Sequence, residues 1–170
     1  MSEQVMAQPR IAKVTVNMGV GEGGDRLAKA EKVLEKLTGR KPMRTFGKIN
    51  NRELGVRPGM PIGCKVTLRG ETAETFVKRA LYTRLNKLQS WSFDNQGNLQ
   101  FGVADHTTFE GERYDPETGV FGMDVAITLE KPGHRIKHRR LLQRKVPQRH
   151  RVSREECMAF LSQKFNIEVI

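Results

Sequence analysis

The 170-residue sequence predicts an α+β fold in one domain, and three observations predict it. Arg10 to Met18, Pro61 to Gly70 and Met123 to Leu129 alternate apolar and polar side chains with the period of two that an extended strand imposes. Two longer stretches, after Asp25 and after Thr72, space their apolar residues at the helical period instead. The later strands are not joined by regular helices, so the repeating order of a parallel doubly wound sheet is missing. A chain of this length supports one sizeable core and falls short of two.

Taken in order, Met1 to Pro9 has no period and reads as a flexible lead-in. In the first strand Ala12, Val14, Val16 and Met18 share one face, with Lys13, Thr15 and Asn17 on the other. Gly19 to Gly24 satisfies G-x-G-x-x-G between this strand and a helix, the context of a dinucleotide loop. Against that reading, Glu22 puts a negative charge in the loop and no acid ends the next strand-like run, Pro42 to Phe46. A tight turn passing close to a neighbour accounts for the same glycines. Asp25 is then the expected N-cap of a helix with Leu27, Ala30, Leu34 and Leu37 toward the sheet and Gly39 as its stop.

Residues 47–61 form a polar loop marked by Gly and Pro; a loop that long in a compact domain is usually functional or disordered, and its Asn and Arg favour a contact loop. It is expected to stay mobile until a partner arrives. The strand that follows turns Cys64, Val66 and Leu68 inward and Lys65, Thr67 and Arg69 outward. Thr72 to Leu88 reads as a second helix whose stripe includes Ala73, Phe76, Val77, Ala80, Leu81, Leu85 and Leu88, with Trp91 and Phe93 closing the core behind it. The turn-rich region 94–119 suggests a hairpin around Leu99 to Val103 and an exposed loop with five acids, Asp105, Glu110, Glu112, Asp115 and Glu117. That patch keeps the surface soluble or meets a basic protein. The long strand at Met123 to Leu129 points Asp124, Thr128 and Glu130 outward. Ser153 and Glu156 make a capping box for a last helix, and Asn166 to Ile170 fits a terminal edge strand.

Charge is concentrated. Thirty Lys and Arg against 19 Asp and Glu give a net charge of +11, which calls for a polyanionic partner. Residues 131–154 hold ten of the cations and no acid, so subtracting them leaves +1 for the rest. Pro147 and the lack of an apolar period predict that this basic extension orders only on its partner, where counterion release gives the cations a use. Its candidate contacts are Arg135, Lys137, Arg139, Arg140, Arg144, Lys145, Arg149 and Arg151.

Two lone cysteines, Cys64 and Cys157, and the absence of a signal-peptide pattern fit a reducing, cytoplasmic setting. No apolar run is long enough to cross a bilayer, so no membrane-spanning role is expected; only surface attraction to anionic lipid is left open, with no membrane among the expected partners. The four histidines, His106, His134, His138 and His150, do not combine with the cysteines at zinc spacings and are read as solvated or facing nucleic acid. No metal, cofactor or catalytic residue is expected, because no nucleophile has a partnered His and no carboxylate pair sits in an apolar context. The rival from another class is a small nucleotide-dependent oxidoreductase built on Gly19 to Gly24. The favoured site is a two-strand platform, with Lys13, Thr15 and Asn17 beside Lys65, Thr67 and Arg69, whose cations and small polar groups suit phosphate, ribose and base edges.

Asn17 to Glu22, Gly39 to Pro42, Pro61 to Gly70 and Phe121 to Val125 closely resemble the L-five family of large-subunit ribosomal proteins, and the match covers most of residues 9–130. The resemblance implies a two-layer protein, a mostly antiparallel sheet with helices packed on one face. It also implies binding to 5S rRNA in the central protuberance beside neighbouring proteins, reach to the large-subunit rRNA, and a touch on a protein of the small-subunit head. Asn17 and Thr67 match the family's 5S contacts, and Arg40 stands where the family often has Gln, keeping a donor but no acceptor. The loop directed at the P-site tRNA corresponds to Lys48, Asn50, Asn51, Arg52 and Arg57. The short N-terminus and the basic extension resemble the archaeal branch.

Overall fold

The structure, a computed structural model, describes residues 6–170; most of the expected lead-in, residues 1–5, lies outside them. Five strands make the main sheet: β1 (Arg10–Gly19), β2 (Met43–Phe46), β3 (Pro61–Leu68), β5 (Asn98–Val103) and β6 (Met123–Glu130), in the order β2-β3-β1-β6-β5. Every pairing in it is antiparallel. Helices α1 (Asp25–Thr38), α2 (Glu71–Tyr82) and α4 (Arg154–Phe165) contribute to the core on one face of that sheet. The inward side chains of β1, β3, β5 and β6 are buried against Leu27, Ala30, Leu34 and Leu37 of α1 and Phe76, Val77 and Leu81 of α2. Each such residue contributes about 1.5–3 kcal/mol on burial, which is why the strand alternation fixes the face.

The antiparallel sheet removes the dinucleotide reading. Val20 and Gly21 donate their backbone N–H groups to the Ile62 carbonyl at 3.0 and 2.8 Å, so the glycine loop is a tight turn over the start of β3. Gly63 is required where β3 runs between its neighbours, because a Cβ there would lie 2.7 Å from the Met18 carbonyl oxygen.

Several expectations are corrected. Gly24 caps α1 and Asp25 is its first residue, with no side-chain cap bond. The second helix stops at Tyr82, since Leu85 and Asn86 turn left-handed with φ of 54° and 55°. That turn exposes Leu85 and sends β4 (Lys87–Leu88) into a parallel pair with β7 (Glu168–Val169), so the C-terminal strand joins a separate two-stranded sheet. Phe93 is buried, but Trp91 is 76% exposed, held outside by a 3₁₀ turn over Ser90–Ser92. His106 is only 3% exposed, and its Nδ1 accepts from the Phe121 N–H at 3.2 Å. The acidic loop also packs on its own chain: Phe109 stacks on Phe76 at 5.8 Å, Glu112 pairs with Lys36 at 2.7 Å, and the Glu117 carbonyl accepts from Lys29.

Candidate nucleic-acid interface

The three long helices α1, α2 and α4 pack on the inner face of the five-stranded sheet and leave most of its outer face open. β1 and β3 are neighbours with Thr15 opposite Thr67 and Asn17 opposite Lys65, so the two predicted outward rows form one surface. Lys13 occupies the end of that row, and Arg69, one residue beyond β3, donates from Nη1 to the Ala12 carbonyl at 3.4 Å. A bulge between Ile11 and Lys13 breaks the ladder beside it. Arg40 is exposed in the turn between α1 and β2, immediately after the left-handed Gly39, and lies off the platform strands.

The other flank of β1 changes the chemistry of this face. β6 sets Asp124 beside Asn17, Ala126 beside Thr15 and Thr128 beside Lys13, and β5 sets Gln100 and Asn98 beyond them. The surface therefore runs from cations on β3, through small polar groups and one acid, to amides on β5. Gln100 and Asn98, which the strand-by-strand reading did not name, join it together with Thr128, which that reading turned outward without placing it on the platform; outward parity on a third and fourth strand was the available signal. Exposed Trp91 lines a groove with Gln100, Lys87 and Asp124 at this end, and its Gln-Ser-Trp-Ser context was the cue to its exposure.

The 47–61 loop is more built than expected. Asn51 and Val56 exchange two backbone hydrogen bonds at 2.9 and 3.0 Å, and Gly47 donates to the Met60 carbonyl at 2.8 Å. Val56 is buried under this small hairpin. The Asn51 Oδ1 accepts from the backbone of Glu53, so this side chain shapes the turn. Lys48, Asn50, Arg52 and Arg57 remain exposed, and the loop also presents Ile49 and Leu54, apolar groups that the polar composition hid.

The basic extension, expected to lack structure without a partner, is folded back on the body. Lys131 is 7% exposed and donates to the Glu156 carboxylate at 2.8 Å. That bond, ahead of the burial that opposes it, holds the Glu156 carboxyl below its ordinary range. His150 donates from Nε2 to the Pro132 carbonyl at 2.7 Å, closing the base of the loop. Val152 is buried against Gly97, whose φ of +73° and missing Cβ admit it. Between these anchors runs one helical turn, α3 (Arg135–His138), while Arg151 donates from Nε to the Val146 carbonyl at 3.2 Å. Backbone and side-chain bonds of this kind replaced the missing apolar period, and they are not visible as a sequence pattern. Arg135, Lys137, Arg139, Arg140, Arg144, Lys145, Arg149 and Arg151 are all exposed, and among the described residues none forms an ion pair.

Comparison with known proteins gives a consistent result. The family model described as Ribosomal protein L5 matches residues 4–57, and a second model, for the C-terminus of the same ribosomal family, matches residues 61–160. The large ribosomal subunit protein uL5 of Methanosphaera stadtmanae is 48% identical, across 97% of this chain and 98% of its own. Those of Sulfurisphaera tokodaii and Sulfolobus acidocaldarius are 52% and 49% identical, over 97% and 99% of this chain and 94% of theirs.

Proposed function

Since the chain belongs to the archaeal-type L5 family of ribosomal proteins, structural constituents of the large subunit and not enzymes, we propose that its open sheet face binds 5S rRNA in the central protuberance. The observation that carries this is the β1–β3 register, which gathers Lys13, Thr15, Asn17, Lys65, Thr67 and Arg69 on one surface that α1, α2 and α4 leave open. Lysine and arginine tips supply phosphate contacts, and Thr and Asn supply partners for ribose and base edges. Arg40 extends the contact from the adjoining turn.

The same reading assigns the exposed residues of the 47–61 hairpin to the P-site tRNA, and its apolar Ile49 and Leu54 to a protein of the small-subunit head. The basic arm grips large-subunit rRNA, neighbouring central-protuberance proteins flank the platform, and the ribosome it serves is cytoplasmic. We read the chain as one domain. The two family matches meet in a single sheet, where β1 of the first lies between β3 and β6 of the second, so no boundary separates them.

The test is binding of 5S rRNA by Thr67→Ala and Asn17→Ala. Loss of one polar contact costs about 1–2 kcal/mol, so each should weaken affinity roughly 5- to 30-fold. Thermal melting should stay near wild type, because both side chains point away from the core. A melt that shifts in step with affinity would make them structural groups and sink the assignment.

A further inference from the structure

The folded arm and the sheet enclose a cleft of about 710 Å³ between residues 134–152 and the β5–β6 end of the outer face. Lys137, Arg144, Lys145 and Arg151 form its arm wall, with Lys13 at its inner end. None of the five is in an ion pair among the described residues. The opposite wall differs. It presents Asn98, Thr128 and Glu130, with a single carboxylate against five cations. The amide nitrogen of Asn98 is engaged, since Nδ2 donates to Asp94 at 3.1 Å, and its Oδ1 is left to accept.

We propose that this cleft binds an unpaired segment of RNA, with phosphates on the arm wall and a ribose or base edge on the sheet wall. The inference rests on the reading of the outer face as an RNA surface and identifies a separate subsite at its end. Charge argues for a polyanion. The acceptors Asn98 Oδ1 and Glu130 narrow it further, because they need hydrogen-bond donors from the ligand. A ribose 2′-hydroxyl or an exocyclic base amine supplies them, whereas the carboxylate side chains of an acidic peptide carry no donor. The volume is that of a small-molecule pocket and matches roughly one or two unpaired nucleotides better than a paired helix. The cleft is also preformed. Lys131–Glu156, His150–Pro132 and Val152–Gly97 pin both ends of the arm, so little ordering cost is left for binding.

The experiment uses the full-length protein and three labelled probes: an unstructured oligouridylate hexamer, a blunt RNA duplex, and 5S rRNA, with polyglutamate as competitor. The expected result is that the hexamer binds more tightly than the duplex and resists polyglutamate. Replacing Arg144 and Lys145 together with Gln should weaken the hexamer roughly tenfold and flatten its log affinity against log salt by about 1.4, two single-strand phosphate contacts. Both side chains are exposed, so melting should not move. Asn98→Ala should lower hexamer affinity and leave the salt slope unchanged, while Thr67→Ala on the platform should leave hexamer affinity alone. Duplex binding equal to hexamer binding, or displacement of the hexamer by polyglutamate, would overturn the subsite. Binding of 5S rRNA without any hexamer binding overturns the cleft and spares the platform. Hexamer binding with 5S affinity untouched by Thr67→Ala and Asn17→Ala does the reverse.

Discussion

At the scale of single residues, burial sets the chemistry more than residue type does. Cys64 and Cys157 lie in the core, and loss of solvent pushes each thiol up from its ordinary 9.0 to about 11. The folded state therefore holds the protonated thiol more firmly than the unfolded state does. This contribution to stability is complete below pH 9.0 and is lost as the pH rises toward 11. The folded protein should react slowly with a thiol-specific disulfide reagent at pH 8 and rapidly once denatured, and its melting temperature should fall across that alkaline window. Equal labelling rates in both states would show that the thiols are reachable. His106 makes the same point from the polar side: a residue type read as solvated is buried because its Nδ1 satisfies the Phe121 N–H.

Elements show where local pattern and tertiary contact part company. The capping box of α4 was legible, and it forms, with the Ser153 hydroxyl accepting from the Glu156 N–H at 3.2 Å. Its Glu156 has a second duty that no helix rule announces, since it also holds Lys131 at the root of the arm. Glu156→Gln removes that charge and should cost about 1–2 kcal/mol, discounted because the carboxylate is half-exposed. The expected readout is faster tryptic cleavage within residues 131–154, with the α+β body still intact. Acid should act in the same direction. The Glu156 carboxyl is held below its ordinary 4.5, so the stability it contributes is present above that pH and is lost as pH falls through the lowered value. Unchanged cleavage in the variant would mean the clasp does not hold the arm.

Across the whole molecule, the charge distribution sets the salt dependence. Residues 131–154 hold ten cations against +1 for the rest, with Lys131 spent inside on Glu156, so on the proposed function the arm is expected to be the main counterion-releasing element. Replacing Arg139, Arg140, Arg144 and Lys145 with Gln should lower the slope of log affinity against log salt by about 3 when all four touch phosphate. Discrimination between 5S rRNA and an unrelated RNA should persist, because phosphate contacts carry little sequence information and the platform is untouched. Salt titrations on 5S and large-subunit rRNA fragments measure both quantities. Identical slopes for wild type and variant on both RNAs would remove the arm from the interface.

The sequence by itself determined which side of β1, β3 and β6 is buried, where α1 stops and α4 starts, and where the positive charge lies. These are set by period, by caps and by composition, which act within a few residues of one another. Only the tertiary structure decided what lies beside what. The order β2-β3-β1-β6-β5 put Asp124 and Asn98 on the same surface as Asn17 and Thr67, because strand neighbours far apart in sequence share a face only once they pair. It likewise turned Trp91 outward, ended the second helix at Tyr82, and folded the arm over the sheet through Lys131–Glu156 and Val152–Gly97. Those outcomes rest on single long-range contacts, and a contact between residues far apart in the chain leaves no local pattern to read.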